Sequence, residues 1–331
     1  MTTDISSDET PARSDQRNGP SRNFAQLFSA ITANVGQAIR GKPEAIELAV
    51  VCLLAEGHLL VEDVPGVGKT SLAKALSASV DCSWRRVQFT PDLLPTDLVG
   101  VSVYSRATET FRFEPGPLFA NILLADEINR ASPKTQSALL EAMEERQVSN
   151  DGVSRPLPPP FMVIATQNPV EHEGTFPLPE AQLDRFALRV SLGYPPPSVE
   201  AAMLREMGER DPVAAVPVVG TPERITAARH AVAAVWVAPG LADYVVSLLA
   251  STRNDPRCAL GASPRAGIAL VRCARALALA EGRAYVIPDD VKALARMALA
   301  HRLVLTADAE LRGADGGDIV DDAVATTAIP A

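Results

Sequence analysis

The amino-acid sequence predicts an α/β fold in which a doubly wound parallel sheet is followed by an all-helical second domain. Helical patterns alternate with short apolar strands from Pro43 onward, the order that builds parallel sheets. The strands at 122–124 and 162–164 are apolar without alternation, which is typical of central strands buried on both faces. After the three prolines at 195–197, the chain is rich in Ala, Leu and Arg with helical periodicity.

Each element is predicted from its own local pattern. Two stretches, 101–113 and 147–160, hold β-forming residues around a polar turn, and we predict an inserted β-hairpin in each. The remaining elements of the first domain are expected as follows: helix 43–55, strand 58–62, helix 70–80, strands 84–89 and 122–126, helix 132–146, and strands 161–167 and 186–192.

The second domain is expected to contain helices from Pro222 onward, including one that begins near Pro288 and one more short helix before a frayed end. The predicted organisation is a disordered tail over 1–22, an α/β domain over 23–197, a linker over 198–220 and a helical domain over 221–331.

Composition excludes several classes of protein. The 331 residues include 31 Lys and Arg against 40 Asp and Glu, and the resulting net charge of −9 argues against a nonspecific nucleic-acid surface. No apolar run reaches the roughly 18 residues that a membrane span needs, and the first twenty residues lack a hydrophobic leader segment. We therefore expect a cytoplasmic protein without a membrane span.

The four cysteines show neither a CxxC pair nor histidine partners at ligand spacing. A zinc site or a disulfide scaffold is therefore not expected. We predict that all four are buried thiols: Cys52, Cys82, Cys258 and Cys273.

A phosphate-binding loop is predicted between strand 58–62 and helix 70–80, which is the context that such a loop requires. Gly66 and Gly68 let backbone amides close around a phosphate, and Lys69 can reach the β- and γ-phosphates. Thr70 is expected to offer its hydroxyl to Mg²⁺. The predicted contacts to ATP in this segment are Asp63, Val64, Pro65, Gly66, Val67, Gly68, Lys69, Thr70 and Ser71.

One residue of this loop departs from the pattern, because Asp63 stands where the motif has glycine. An acid at the mouth of an anion site weakens nucleotide binding if it faces the phosphates. On the shoulder of the loop, its side chain can instead point away. The sequence leaves both possibilities open.

Two acids end the apolar strand at 122–126, and Asp126 is expected beside the Mg²⁺ while Glu127 polarises an attacking water. The alternative is a pair of solvated acids at a strand end. Asn168 follows the next strand and is predicted to orient the water opposite Glu127, although an Asx turn before Pro169 is also compatible with the sequence.

Two arginines outside these segments are candidate phosphate ligands. Arg185 precedes strand 186–192 and could reach the γ-phosphate of a neighbouring subunit, or pair within its own subunit with Asp184 or Glu180. Arg265 is expected to begin a helix of the second domain and to close that domain onto nucleotide held by the first, or to lie on the surface as an ordinary arginine.

Together these residues resemble the MoxR-type AAA+ ATPases over about residues 23–306. Besides the phosphate-binding loop, three strings carry the resemblance: Gln88-Phe89-Thr90-Pro91-Asp92-Leu93-Leu94-Pro95, Asp126-Glu127-Ile128-Asn129-Arg130-Ala131, and Leu178-Pro179-Glu180-Ala181-Gln182-Leu183-Asp184-Arg185-Phe186.

The resemblance implies a role for each motif. Lys69 and Thr70 stand as Walker A, Asp126 and Glu127 as Walker B, Asn168 as sensor 1, Arg185 as arginine finger and Arg265 as sensor 2. The two hairpins match the helix-2 and pre-sensor-1 inserts. Gly41 lies in the segment where adenine contacts are expected, or it is simply a bend, and Gln88 either restrains the catalytic acid until a substrate engages or has no switching role.

The resemblance also implies a Mg²⁺-dependent ATPase in a homo-oligomeric, hexameric ring, because an arginine finger acts across a subunit boundary. It implies chaperone-like remodelling of a protein substrate, with a partner that carries a von Willebrand factor A domain and without nucleic acid. Which arginine acts on a neighbour stays open, since Arg130 is close to the acids. Alternatives are a magnesium-chelatase-like motor subunit, a nucleotide-gated adaptor with slow turnover and, third, a DNA translocase.

Overall fold

The computed structural model describes residues 19–168, 175–205 and 213–329. A parallel five-stranded sheet with order β2-β5-β8-β1-β9 forms the centre of the first domain. The elements of this domain are α1 (Gly19–Ala38), α2 (Pro43–Leu54), β1 (Leu59–Glu62), α3 (Lys69–Ser79), β2 (Trp84–Gln88), α4 (Pro95–Val99), β3 (Gly100–Ser105), β4 (Thr110–Pro115), β5 (Ile122–Asp126), α5 (Pro133–Glu145), β6 (Gln147–Asn150), β7 (Val153–Pro156), β8 (Met162–Gln167), α6 (Glu180–Leu183), β9 (Leu188–Val190) and α7 (Pro197–Arg205).

The two central strands are buried on both faces, as their continuous apolar sequences predict. Alternate residues of β5 and β8 point to opposite faces of the sheet. Leu124 and Ile164 join the larger core, which includes α1, α2, α3 and the second domain, whereas Leu123 and Val163 join the core beneath α5. The predicted doubly wound parallel sheet is confirmed.

Both predicted hairpins are present, as antiparallel pairs β3 with β4 and β6 with β7. The turn of the second hairpin contacts the first hairpin near its base. The Ser102 hydroxyl donates to the Asp151 carboxylate at 2.5 Å, and the Arg155 guanidinium lies 4.0 Å above the Phe113 ring. The two hairpins therefore pack against each other on the α/β domain.

The second domain is helical, as predicted, apart from one short antiparallel strand pair. Residues of β10 pair antiparallel with β11, and two helices, not one, follow residue 306. Its elements are α8 (Pro222–Ala233), α9 (Pro239–Asn254), β10 (Cys258–Leu260), α10 (Pro264–Ala280), α11 (Pro288–Leu299), β11 (Val304–Leu305), α12 (Ala307–Leu311) and α13 (Gly316–Thr326).

Three further features differ from the sequence-based expectations. Helix α1 begins at Gly19, inside the segment 1–22 predicted as a tail, and residues 1–18 lie outside the described residues. Helix α7 occupies the start of the predicted linker 198–220, of which 206–212 are likewise outside. Of the four free thiols, Cys258 is only half-buried, whereas Cys52, Cys82 and Cys273 are buried as predicted.

Within the described ranges, no helix has both the length and the apolar character that crossing a bilayer requires.

Candidate functional site

The phosphate-binding loop runs from β1 to the first turn of α3, as predicted. Gly66 and Gly68 have positive φ angles of 85° and 101°, a region that non-glycine residues rarely adopt. Gly68 forms the N-cap of α3, so the positive end of that helix opens onto the loop. The Lys69 ammonium donates a hydrogen bond of 2.7 Å to the carbonyl oxygen of Asp63, and Thr70 and Ser71 occupy the first turn behind it.

The Asp63 carboxylate does not face the loop it precedes. It accepts hydrogen bonds from the backbone amides of Val64, Leu192 and Gly193 at 2.8, 2.6 and 2.6 Å and from the Ser191 hydroxyl at 3.0 Å. Burial alone raises the pKa of Asp63, but these four donors outweigh that effect and hold its pKa below the usual value. Asp63 therefore anchors the loop to the chain after β9. Of the two orientations that the sequence left open, its side chain adopts the one that points away from the phosphate site.

The Asp126 carboxylate is buried at the carboxyl end of β5 and is held on both oxygens. Its Oδ1 accepts a 2.5 Å hydrogen bond from the Thr166 hydroxyl of β8. Its Oδ2 accepts two bonds from the Arg86 guanidinium of β2, at 2.6 and 3.1 Å. The partners come from the two strands that flank β5 in parallel: Arg86 from the middle of β2 and Thr166 from near the end of β8.

Glu127 has a left-handed backbone, with φ of 56°, that turns the chain sharply after β5. Its amide donates to the Thr166 hydroxyl oxygen at 2.9 Å, so one threonine fixes both acids. The Glu127 carboxylate accepts bonds from the Gln88 side-chain amide at 2.8 Å and from Arg130 at 3.0 Å. Gln88 thus lies where it can restrain the acid, and Arg130 is committed to the acid of its own subunit.

Two other predicted residues lie near this edge of the sheet. Asn168 is buried directly after β8, beside the end of β5. Gly41 has φ of 73° in the turn between α1 and α2, where an added Cβ would lie 3.0 Å from Pro196 and 3.4 Å from Val199. This turn therefore packs against the same 191–199 stretch that carries the partners of Asp63.

Arg185 and Arg265 lie at the opposite edge of the sheet, where the strands begin. Both guanidinium groups bind the carboxylate of Glu144, near the end of α5. This helix end is fixed to the starts of β1 and β8, because Arg146 donates to carbonyl oxygens of Glu56 and Phe161. The phosphate-binding loop follows the far end of β1, which spans about 13 Å at the usual rise per residue.

The expectation that Arg265 closes on nucleotide held by its own subunit is therefore wrong. Arg265 joins Arg185 on the far side of the sheet because the start of α10 docks there. The Ser263 hydroxyl, which caps α10, donates to both carboxylate oxygens of Asp184 at 3.0 and 2.9 Å. The alternative that Arg185 pairs with Asp184 or Glu180 is not observed either, since its carboxylate partner is Glu144.

Three residues at the two edges of the sheet were not predicted from the sequence: Arg86, Thr166 and Glu144. Arg86 could have been found, because it lies two residues before Gln88 on β2 and so shares its face. Thr166 could also have been found, as the register of β5 with β8 places it beside Asp126. Glu144 is recognised only from the folded chain, since one of its two partners, Arg265, comes from the second domain. Asp184 was a candidate partner of Arg185, but it binds Ser263 and Arg302 of the second domain instead.

The described residues contain no group of three or more His, Cys, Asp or Glu side chains arranged to hold a metal. Burial raises the pKa of Cys82 and Cys273 to about 12, so these two thiols are uncharged at neutral pH.

A phosphate-binding loop, two acids at the end of a central parallel strand and a helical lid define an AAA+ ATPase. Residues 58–188 match the family described as ATPase family associated with various cellular activities (AAA), and residues 250–323 match the AAA lid domain.

Comparison with individual proteins narrows this class. The chain is 45% identical over 305 residues to Chaperone MoxR1 of Mycobacterium tuberculosis, covering 89% of this chain and 80% of that protein. It is 32% identical over 335 residues to Protein MoxR of Paracoccus denitrificans, covering 92% and 96% of the two chains. A crystal structure from Cytophaga hutchinsonii has a TM-score of 0.87 and 35% identity, covering 95% of this chain and 98% of the other. The chain belongs to the MoxR family of AAA+ ATPases.

Replacing Asp63 tests its anchoring role. Asp63→Asn should lower the free energy of unfolding at pH 7 by about 1–3 kcal/mol, because an amide cannot accept all four hydrogen bonds of the carboxylate. Since the folded state lowers the pKa of Asp63, the wild-type advantage is present above the unfolded carboxyl pKa of about 3.9 and is lost as the pH falls further. Urea unfolding from pH 7 down to below about pH 3.9 measures the free-energy difference between the two proteins and its dependence on pH.

The control for this measurement is Asp243→Asn, at an exposed position of α9, which should unfold like the wild type. An Asp63→Asn protein as stable as this control at pH 7 would contradict the anchoring role.

Proposed function

We propose that the chain hydrolyses ATP with Mg²⁺ in a hexameric ring, and that hydrolysis drives remodelling of a protein partner. One observation carries this proposal: the phosphate-binding loop and the two acids lie at one edge of the sheet, while Arg185 lies at the other. A site divided in this way can be completed only when another copy supplies the missing arginine.

The residues at the loop fit a magnesium ion. Thr70 and Asp126 offer a hydroxyl and a carboxylate, the hard oxygen ligands that Mg²⁺ prefers, and the ion normally takes its other ligands from phosphates and water. Bound Mg²⁺ would neutralise part of the negative charge on the transferred phosphoryl group. The Arg86 guanidinium now occupies Asp126 Oδ2, so Asp126 must exchange this ion pair to serve as a ligand.

The phosphate-binding loop and Glu127 divide the remaining chemistry. Amides of residues 64–70 would bind the phosphates, and the Lys69 ammonium would turn from the carbonyl oxygen of Asp63 to the β- and γ-phosphates. Glu127 would accept the proton of the attacking water once its hydrogen bond from Gln88 opens. Asn168, buried beside the acids, would orient this water.

Arg185 is the arginine that we assign to the neighbouring active site. Arg130 is the competing candidate, but it lies beside Glu127 at the same edge of the sheet as the phosphate-binding loop of its own subunit. Arg185 lies at the far edge with 26% of its side chain exposed, which allows it to reach another copy. Arg265 lies beside it, so we propose that this arginine also acts on the neighbour's nucleotide.

Family membership and the inserts support the proposed coupling to a protein substrate. The relative from Mycobacterium tuberculosis is named a chaperone. Four apolar side chains of the first hairpin are exposed, as a surface that engages protein substrates requires: Val101, Val103, Tyr104 and Phe111. We further propose that the ring works in the cytoplasm with a partner bearing a von Willebrand factor A domain.

The main alternative is an adaptor that binds ATP but hydrolyses it slowly. The acid in the phosphate-binding loop was the sequence feature that favoured this alternative. Because the Asp63 carboxylate is bound by four donors from the loop shoulder and from 191–193, its charge is not directed at the phosphates. No other feature of the described residues favours the adaptor over the motor.

Glu127→Gln tests hydrolysis directly. We expect ATP turnover to fall at least about 100-fold, the usual contribution of a general base, while ATP binding persists because the loop is unchanged. Phosphate release and fluorescent-nucleotide binding measure the two quantities. Glu145→Gln removes an equal charge at an exposed position and should hydrolyse like the wild type. Equal turnover in Glu127→Gln and wild type would refute the hydrolytic role.

Arg185→Ala tests the division of the site between subunits. In the Glu127→Gln background, light scattering after size exclusion should show about six subunits with Mg·ATP, and the additional Arg185→Ala change should weaken or abolish that assembly. Arg312→Ala, at an arginine whose side chain is 77% exposed, serves as the control and should leave assembly intact. A monomer under all conditions, or full assembly without Arg185, would contradict the ring proposal.

A further inference from the structure

A single carboxylate, Glu144, binds the two arginines that the proposed function assigns to the neighbouring subunit. Its Oε2 accepts from Arg185 Nε at 3.1 Å and lies 3.0 Å from a terminal nitrogen of the same guanidinium. Its Oε1 accepts from a terminal nitrogen of Arg265. The carboxylate thus joins an arginine of the α/β domain to an arginine of the lid.

This junction depends on where the lid docks. The Ser263 hydroxyl binds Asp184, the residue directly before Arg185, and so fixes the start of α10. Arg302 of the lid reinforces the same anchor, with Nε 3.2 Å from Asp184 Oδ1 and a terminal nitrogen donating to the carbonyl oxygen of Phe186 at 2.7 Å. The first turn of α10 then brings Arg265 to Glu144.

The surrounding cleft is rich in positive charge. Besides Arg185 and Arg265, it is lined by three arginines and by three acids: Arg146, Arg272, Arg302, Glu56, Glu144 and Asp184. Asp184 is committed to Ser263 and Arg302. Glu144 is the acid of this cleft that pairs with both Arg185 and Arg265.

The exposure of the three side chains shows that the junction can open. Glu144, Arg185 and Arg265 keep 39%, 26% and 43% of their side-chain surface in contact with solvent. Exposed ion pairs of this kind are weak, and a phosphate group offers more charge and more acceptor oxygens than a carboxylate. A phosphate brought to this edge can therefore displace Glu144 from both guanidinium groups.

We propose that Glu144 is a latch: it holds Arg185 and Arg265 together in the isolated subunit and yields them to the γ-phosphate of a neighbour's ATP. Because Arg265 belongs to the lid, a movement of the lid changes the hold of Glu144 on Arg185 as well. Lid position would in this way control how readily the arginine finger engages. The latch rests on the proposed function, since it presupposes that Arg185 acts across a subunit boundary.

Glu144→Gln is the variant that tests the latch. It keeps the length and hydrogen-bonding capacity of the side chain but removes the charge that competes with phosphate. We expect assembly with Mg·ATP at about two- to fivefold lower protein concentration than for the wild type, the range that an exposed ion pair represents. Turnover per subunit at limiting protein concentration should rise by a similar factor. The matched control is Glu145→Gln, which should behave as wild type.

A double-mutant cycle separates the latch from a purely structural role of Glu144. In the Arg185→Ala background, Glu144→Gln should give a smaller gain in assembly, because one of the two arginines that it releases is missing. An undiminished gain in that background would overturn the proposal. So would a Glu144→Gln protein that assembles like, or more weakly than, the Glu145→Gln control.

Different results would refute the proposed function and the latch. If Glu127→Gln hydrolyses ATP at the wild-type rate, the proposed function is wrong whatever Glu144 does. If Glu127→Gln is slow and Arg185→Ala impairs assembly, but Glu144→Gln assembles like the wild type, only the latch is wrong.

Discussion

The parallel arrangement of the five central strands is the constraint on which both residue clusters depend. Parallel strands place all of their carboxyl ends at one edge, so segments that follow β1, β5 and β8 meet there although they are far apart in the chain. A residue that precedes a strand must lie at the opposite edge, as Arg185 does before β9. The same sheet thus brings the loop and the two acids together and keeps Arg185, the proposed arginine finger, at the opposite edge.

Much of this arrangement could be predicted because its signals are local. The apolar run of β5 and the acid that ends it gave the observed bounds 122–126, and the glycine spacing identified the phosphate-binding loop. The position of Arg265 could not be predicted, because it depends on contacts of Ser263 and Arg302 with a distant Asp184. The orientation of Asp63 depends in the same way on amides that follow β9.

Each acid at the catalytic edge is paired within its own subunit. Arg86 holds Asp126, while Gln88 and Arg130 hold Glu127. The hydroxyl of Thr166 links the two acids, since it donates to Asp126 and accepts from the Glu127 amide. The proposed proton acceptance by Glu127 and metal binding by Asp126 would both exchange existing hydrogen bonds, and Thr166 would link the state of one acid to that of the other.

The charged groups at the far edge are also paired within their own subunit. Glu144 binds Arg185 and Arg265 there, as Arg86 and Arg130 bind the two acids at the other edge. Joining the two edges in an assembly would exchange one set of ion pairs for another and leave few charges without a partner. The ion pairs of Glu144 are exposed, and an exposed ion pair contributes only about 0.2–1 kcal/mol, so exchanging them costs little in either direction. A low cost in both directions is what a cycle requires, because arginines bound irreversibly to phosphate could not release the product. The exposed pairs of Glu144 therefore suit the proposed interface, which would form and separate repeatedly.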